Sequence, residues 1–306
     1  RMSEIERCDS HRKVFGILCF LRILRAFPAD QVPYGRRRRD IMGKKVKLGV
    51  IGGGFMAQAI IKGAVEKKFL AGEQILVSEP DISRRAFFKD LGVNLAANNR
   101  EVAETCEYLL LAVKPQVFPA VAEELRGTAL PILISIMAGK TKDAIKRATG
   151  ADKVARIMPN LPCSVGAGMA GTDCSDLSAE GGAFVRGLFE AVGEAEEIGE
   201  KFLDAVTGVS GSGPAYVYLF LLSLIHAGVK HGMTEEQAKK FALQTVEGGV
   251  RMAKTSDKSL EELIAAVSSK GGTTIAALAS FRKDDFEGSV ERAVDAAVRR
   301  AGELSE

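Results

Sequence analysis

Histidine is scarce in this chain. Its 306 residues hold three, His11, His226 and His231. No H-x-x-E or H-x-x-x-H pair occurs, so no metal site is expected. No serine stands in a nucleophile elbow, which removes the hydrolases built on that turn. Five cysteines (8, 19, 106, 163, 174) include no C-x-x-C pair. That spacing argues against zinc and against a disulfide framework, and it suits a reducing compartment, so a cytoplasmic location is expected. No uninterrupted apolar run approaches the length of a membrane span, and no membrane is expected. A basic surplus is also missing from the body of the chain. Residues 1–41 carry ten Lys/Arg and five acids, net +5; subtracting that from the overall +3 leaves −2 for the remainder. Nucleic acid is therefore not an expected partner.

What is present starts at Lys45. Val46, Leu48, Val50 and Ile51 form an apolar, β-branched run fit for one buried strand. It stops at Gly52-Gly53-Gly54, and a helical pattern begins at Phe55. A G-x-G-x-x-A fingerprint (Gly52, Gly54, Ala57) thus lies between a strand and a helix, the context a dinucleotide site needs. Gly52 permits the tight turn, Gly54 lets backbone approach a pyrophosphate, and Ala57 lets the helix pack close. Gly53, Phe55 and Met56 complete the loop, whose helix N-terminus favours phosphate.

From there strands and helices alternate. Strands are expected at 46–51, 75–78, 93–96, 108–113, 131–136 and 153–158, with further short strands at 166–172 and 195–198 around a helix at 177–191. This predicts an α/β fold with a doubly wound, Rossmann-type domain. Its ligand site should lie at the strand carboxyl ends: Gly52–Ala57, Ser78–Glu79, Val113–Pro115 and Met137–Gly139. Beyond about residue 200 the pattern becomes wholly helical, at 200–208, 213–231, 234–254, 259–267, 273–283 and 286–302. The expected domains are a basic leader over 1–41, a dinucleotide-binding domain over 42–204 and a helical domain over 205–306. The leader reads as a targeting peptide, as an arginine-rich tail (Arg36–Arg39) for an acidic partner, or as sequence upstream of a natural start at Met42; the last is preferred, because nothing in it can pack into a core. Tyr216 to Ala227 is apolar on nearly every face, so a partner subunit is the expected cover.

A second glycine stretch, Gly271-Gly272-Thr273-Thr274, also precedes a helix, with Ser268 and Ser269 beside it. It offers N–H groups and hydroxyls to a carboxylate; an ordinary capped helix start is the alternative. His226 lies in an apolar helix and reads as a core residue rather than a catalyst. Alcohol dehydrogenases need a general acid or base. A protonated cyclic imine is already electrophilic, so hydride placement and one hydroxyl can suffice for its reduction.

The chain resembles the pyrroline-5-carboxylate reductase family from about Lys45 to Ala301. The resemblance rests on V-I-G-G-G-F-M-A (50–57), L-A-V-K-P (111–115), R-I-M-P-N-L-P (156–162), T-G-V-S-G-S-G-P-A-Y (207–216) and S-x-G-G-T-T-x-x-A-L (269–278). Two positions depart from the family pattern: Lys270, where proline is usual, and Arg282, where an acidic or amide residue is usual. The resemblance implies hydride transfer from NAD(P)H to 1-pyrroline-5-carboxylate, giving L-proline. It implies that Gly271, Gly272 and Thr273 hold the imino acid's carboxylate with Ser269, and that Thr274, the expected catalytic residue, bonds the ring nitrogen. Lys114 and Asn99 would lie along the cofactor, Lys114 also binding the substrate, with Ala112 among the cofactor-binding residues and Val113, Pro115 and Ala138 walling the nicotinamide. It further implies a homo-oligomer built on a dimer, extending to a decamer. Cofactor preference stays open: Glu79 suits a ribose 2′-hydroxyl, whereas Arg84 and Arg85 suit a 2′-phosphate. Two other functions compete: a reductase of another cyclic imine or of a hydroxy acid, and a non-catalytic dinucleotide sensor.

Overall fold

Strands without a polar position have no face for water, so they must lie between two helical layers. In the computed structural model of the chain, which describes residues 46–304, they do. The expected leader over 1–41 lies outside the described residues. The elements alternate as β1 (Val46–Ile51), α1 (Phe55–Glu66), β2 (Ile75–Ser78), α2 (Ile82–Asp90), β3 (Asn94–Leu95), α3 (Asn99–Thr105), β4 (Cys106–Leu111), α4 (Phe118–Leu125), β5 (Ile132–Ser135), α5 (Lys142–Thr149) and β6 (Val154–Met158). Then come β7 (Gly168–Asp173), α6 (Ala179–Glu190) and β8 (Gly193–Glu197). The sheet order is β3-β2-β1-β4-β5-β6-β7-β8. Neighbours from β3 to β6 are parallel, β7 runs antiparallel to β6, and β8 pairs parallel with β7. The 3-2-1-4-5-6 portion is the Rossmann order, and its crossovers leave the turns at the carboxyl edge.

Each face of the sheet has its own core. On one, Leu48, Val50 and Leu110 pack with Ile60, Ile61, Phe88, Leu188 and Phe189. On the other, Ile51, Leu109 and Leu133 pack with Val102, Phe118, Leu125 and Ile145. Complete burial of each such side chain contributes about 1.5–3 kcal/mol. The outer strand β8 reads GEAEE, and its glutamates discourage pairing with another sheet edge.

Several expected boundaries move. β4 starts at Cys106, two residues early, because α3 ends directly into it; Ala112 and Val113 leave the sheet instead. α4 has no counterpart among the expected elements, since Pro119 sits in its first turn, a position that needs no N–H donor. The helix expected over 200–208 is three short turns: a 3-10 turn Glu200–Phe202, α7 (Leu203–Val206) and a π turn Thr207–Gly211.

The rest is helical: α8 (Gly213–Lys230), α9 (Glu235–Thr255), α10 (Leu260–Ala266), α11 (Thr273–Lys283) and α12 (Phe286–Glu303). Thr234 and Ser259 cap α9 and α10 with reciprocal capping boxes. The expectation that no segment reaches membrane length fails on composition. The continuous helical stretch Glu200–Lys230 reaches a mean hydropathy of 1.4 over 18 residues, long and apolar enough to cross a bilayer. A helix that must pack against other protein passes the same test.

Candidate active site

The glycine loop between β1 and α1 is shaped residue by residue. Gly52 has φ +95°, and a Cβ there would come 2.8 Å from the Ala112 carbonyl oxygen. Only glycine fits both demands. Gly53 faces inward: its N–H donates to Glu79 Oε2 at 2.6 Å, and a Cβ would meet Phe88 at 2.6 Å. Gly54 faces outward, with nothing within 4 Å of where its Cβ would be. It precedes α1 without any side-chain cap, so the first-turn N–H groups remain for an anion. Ala57 is buried under the sheet-facing side of α1, Met56 is half-buried, and Phe55 is exposed at the loop. An open cradle with bare N–H groups fits the pyrophosphate of a dinucleotide cofactor.

The neighbouring turns reach the same edge. The Gly52 N–H donates to the Ser78 carbonyl, and Ala112 N–H donates to the Ile51 carbonyl, tying the β2 and β4 ends to the loop. A Cβ on Gly52 would meet Val113 at 2.9 Å, so Val113 borders the cradle. Lys114 is exposed, Pro115 half-buried, and the Lys114 carbonyl accepts from Val117 as the chain turns into α4. Ala138 is half-buried at the β5 end; beside it Gly139, φ +69°, packs against Leu304 just after α12. The C-terminal helix therefore returns to the edge where the cradle lies. Asn98 caps α3, accepting from the Glu101 N–H, but Asn99 donates from Nδ2 to Glu124 Oε2 at 2.6 Å. Glu79 stands at the expected strand end, yet it is only 4% exposed and turned inward.

The second glycine stretch lies between α10 and α11. Gly271 takes φ +73°, the Gly272 N–H donates to the Ser269 carbonyl, and Gly272 begins α11 with no side-chain cap. A Cβ on Gly272 would meet Ser269 Oγ at 2.5 Å, so the serine hydroxyl lies against this turn. Ser268 is committed elsewhere, donating to the Ile264 carbonyl. Lys270, Gly271 and Thr273 are exposed; Thr274 is half-buried. Among the described residues no hydrogen bond or ion pair joins this loop to the turns around Gly52. The two halves expected to form one pocket are thus not bonded to each other within one chain.

Residues 200–304 match the family described as "Pyrroline-5-carboxylate reductase dimerisation", and residues 47–139 match "NADP oxidoreductase coenzyme F420-dependent". The chain is 42% identical over 262 residues to a Synechocystis pyrroline-5-carboxylate reductase, covering 85% of this chain and 98% of that one. The chain belongs to the pyrroline-5-carboxylate reductase family. Among solved structures, the Plasmodium falciparum pyrroline carboxylate reductase with NADP bound has a TM-score of 0.76 at 33% identity, covering 85% and 98% of the two chains. The Coxiella burnetii pyrroline-5-carboxylate reductase has a TM-score of 0.79 at 32% identity, covering 86% and 100%. Membership of this reductase family makes the chain an NAD(P)H-dependent oxidoreductase acting on a C=N bond, with a Rossmann domain followed by helices of a dimerisation region.

Two motifs of the family resemblance acquire a physical role that sequence did not assign. Asn160, after β6, donates to the Ser210 carbonyl and hydroxyl at 3.3 and 3.1 Å, while its Oδ1 accepts from Met169 at 2.9 Å. It thereby joins the sheet edge to the π turn, a device frequent at functional sites. Arg156, in the same motif, is buried on β6 and approaches Glu200 and Asp204 at 3.4 and 3.5 Å, holding the start of the helical region.

Nearby, the buried ammonium of Lys142 bonds Asp173 and Ser175 and lies 3.3 Å from Asp176. Burial disfavours its charge, but the Asp173 hydrogen bond and the two carboxylates outweigh this and raise its pKa. Burial likewise opposes ionisation of Asp173 and Asp176; hydrogen bonds from Lys142 and Ser175 to the first, and from Lys146 to the second, hold both below the ordinary range. These charges were unremarkable in sequence, because only the tertiary structure brings α5 against the end of β7. Cys163 and Cys174 are free thiols; burial first, then the charge of Glu197, pushes the Cys174 thiol up to about 12. Neither suits nucleophilic chemistry. Among the described residues no three His, Cys, Asp or Glu side chains are grouped to hold a metal ion.

Proposed function

We propose that this chain reduces 1-pyrroline-5-carboxylate to L-proline, the last step of proline biosynthesis, with hydride from NAD(P)H. The observation that carries the reading is the pairing of an open pyrophosphate cradle at Gly54 with an uncapped glycine turn before α11, in a chain that covers 98% of a pyrroline-5-carboxylate reductase. The nicotinamide, when bound, supplies the hydride.

The chain's own residues bind and orient. Gly52 to Ala57, with Ser78 and Lys114, hold the cofactor. Ala112, Val113, Pro115 and Ala138 wall the reacting end and exclude water. Backbone N–H groups of Gly271, Gly272 and Thr273, with the Ser269 hydroxyl, hold the substrate carboxylate at the positive end of α11. The Thr274 hydroxyl hydrogen-bonds the ring nitrogen, which becomes the product amine. The family's dimerisation region and the exposed apolar side chains of α8 and α9 support a dimer, in which each pocket takes residues of both copies.

The helical domain, 205–306, is covered by that second copy rather than by lipid, and dimers associate further to a decamer. The chain works in the cytoplasm without nucleic acid or membrane, as its free thiols and the lack of a basic surplus in its body suggest. The test is direct: loss of NADPH absorbance on adding 1-pyrroline-5-carboxylate, with proline as product. Cofactor binding without turnover would point to a dinucleotide sensor instead.

A further inference from the structure

We propose that Glu79 is a clamp that shapes the glycine loop rather than the reader of the cofactor's ribose, and that Arg84 favours a 2′-phosphorylated dinucleotide. The inference rests on the reading of Gly52–Ala57 as the pyrophosphate cradle and adds to it which cofactor the site prefers.

A carboxylate that reads a ribose at the end of the second strand must present an oxygen to the ligand. Glu79 is buried, and each of its oxygens is already bonded to backbone. Oε2 accepts the Gly53 N–H at 2.6 Å, and Oε1 accepts the Asp81 N–H at 2.8 Å. One side chain thus fixes both the β1–α1 and the β2–α2 turns through charge-assisted bonds. Phe88 lies beside it: a Cβ on Gly53 would come 2.6 Å from the Phe88 ring and 2.9 Å from Glu79. Glu79 therefore lies on the protein side of the loop, whereas Gly54, one residue on, faces open space. Clamp and cradle occupy opposite faces.

The two arginines divide in the same way. Arg85 Nε donates to the Glu79 carbonyl at 2.6 Å, so its guanidinium is directed to the backbone. Arg84 is half-exposed, 3.7 Å from Glu79 Oε2 and 3.4 Å from Asp81 Oδ2, both longer than a close charge-assisted bond. Its planar fork retains donors for a phosphate. Asp81 is the acidic side chain that faces Arg84 from outside, and its Oδ1 is occupied by the Ser83 N–H and hydroxyl.

The experiment compares kcat/KM for NADPH and NADH in the parent, Glu79→Gln and Arg84→Ala. A glutamine side chain has one accepting oxygen where the carboxylate has two, so it cannot hold both N–H groups in place. Glu79→Gln should therefore lower both efficiencies together and leave their ratio where the parent has it. A rise in the NADPH-to-NADH ratio would make Glu79 a ribose reader and overturn the clamp. Arg84→Ala should lower that ratio about 10- to 100-fold, the range for losing a hydrogen bond to a charged group. An unchanged ratio would overturn the role of Arg84. A measurement on the unmutated, cofactor-free enzyme checks the clamp without any risk to folding: the Gly53 amide should exchange slowly with deuterium, and fast exchange would refute it. Gly54→Val separates the underlying reading from this one. If that variant binds both cofactors as the parent does, the cradle itself is wrong, whatever the ratios show.

Discussion

The sheet and the C-terminal helices are both rich in apolar residues, and they use them in opposite ways. In the sheet, Leu48, Leu109, Leu110 and Leu133 are wholly buried between two helical layers of the same chain. In the helical region, Leu219 is 67% exposed, and Leu222, Phe241, Val250, Leu260 and Val267 are exposed with it. Beyond α7 the described residues contain one small core, Ile225 with Ala238 and Ala242, between α8 and α9. The first region completes its core alone. The second is half of a core, and the match of residues 200–304 to a dimerisation family says what the other half is. Stability in the sheet is therefore a property of one chain; stability in the helices depends on concentration.

A charge placed in the unfinished core should have the largest effect. Leu222→Asp should abolish dimerisation, because an unpaired charge in a dry interface is costly, and with the proposed two-copy pocket it should remove nearly all reductase activity. Light scattering and an activity assay on one sample check this. A fully active monomer, parent or mutant, would sink the idea of a shared site.

Lys142→Met tests the opposite region. Removing the ammonium leaves Asp173 buried without its partner, at a cost of about 3–5 kcal/mol. The sign of the pH dependence follows from the shifts. With Asp173 and Asp176 held below their unfolded values, their contribution is complete above the ordinary carboxylate pKa, about 3.9, and is lost as pH falls through the lower folded values. Lys142, raised, contributes fully below its unfolded value of about 10.4 and loses that as pH rises through the folded one. Denaturant melts should thus show the parent's advantage over Lys142→Met wide at neutral pH and narrowing in strong acid. A gap independent of pH would mean the cluster acts through packing alone.

The comparison is sharpest in a matched pair. Leu48→Ala should cost about 2–5 kcal/mol at every protein concentration, since its cavity lies within one chain. Leu219→Ala should instead shift the dimer dissociation constant and change melting only where dilution matters. Equal concentration dependence in the two variants would contradict the division of the molecule drawn above.

Thr274→Ala is the mildest for the fold and specific for the reaction. Loss of one hydroxyl at the ring nitrogen should remove about 2–4 kcal/mol of transition-state stabilisation, with NADPH affinity nearly unchanged. Turnover near the parent's would remove Thr274 from the mechanism.

Much of this was legible before any coordinates. The run Val46–Ile51 became β1 at both ends as expected, since an apolar β-branched run closed by glycines admits little else. The helices from Gly213 to Glu303 fell within two residues of their expected bounds, because caps such as Thr234 and Ser259 mark them. Less legible was anything that depends on which way a side chain turns. Glu79 has the residue type and position of a ribose acceptor, and local sequence does not say that Gly53 and Asp81 occupy its oxygens. Asn99 likewise turned to Glu124, 25 residues away.

Sequence alone settled the order of the strands along the chain, the glycine loop that follows β1 and the family, because periodicity, glycine positions and motifs are local properties of a chain. The folded arrangement was needed to show which charges pair, as in Lys142 with Asp173, that Asn160 holds the π turn, and that among the described residues no hydrogen bond or ion pair joins the two glycine loops. Those are contacts between segments far apart in the chain, where no local rule of spacing reaches and packing alone selects the partner.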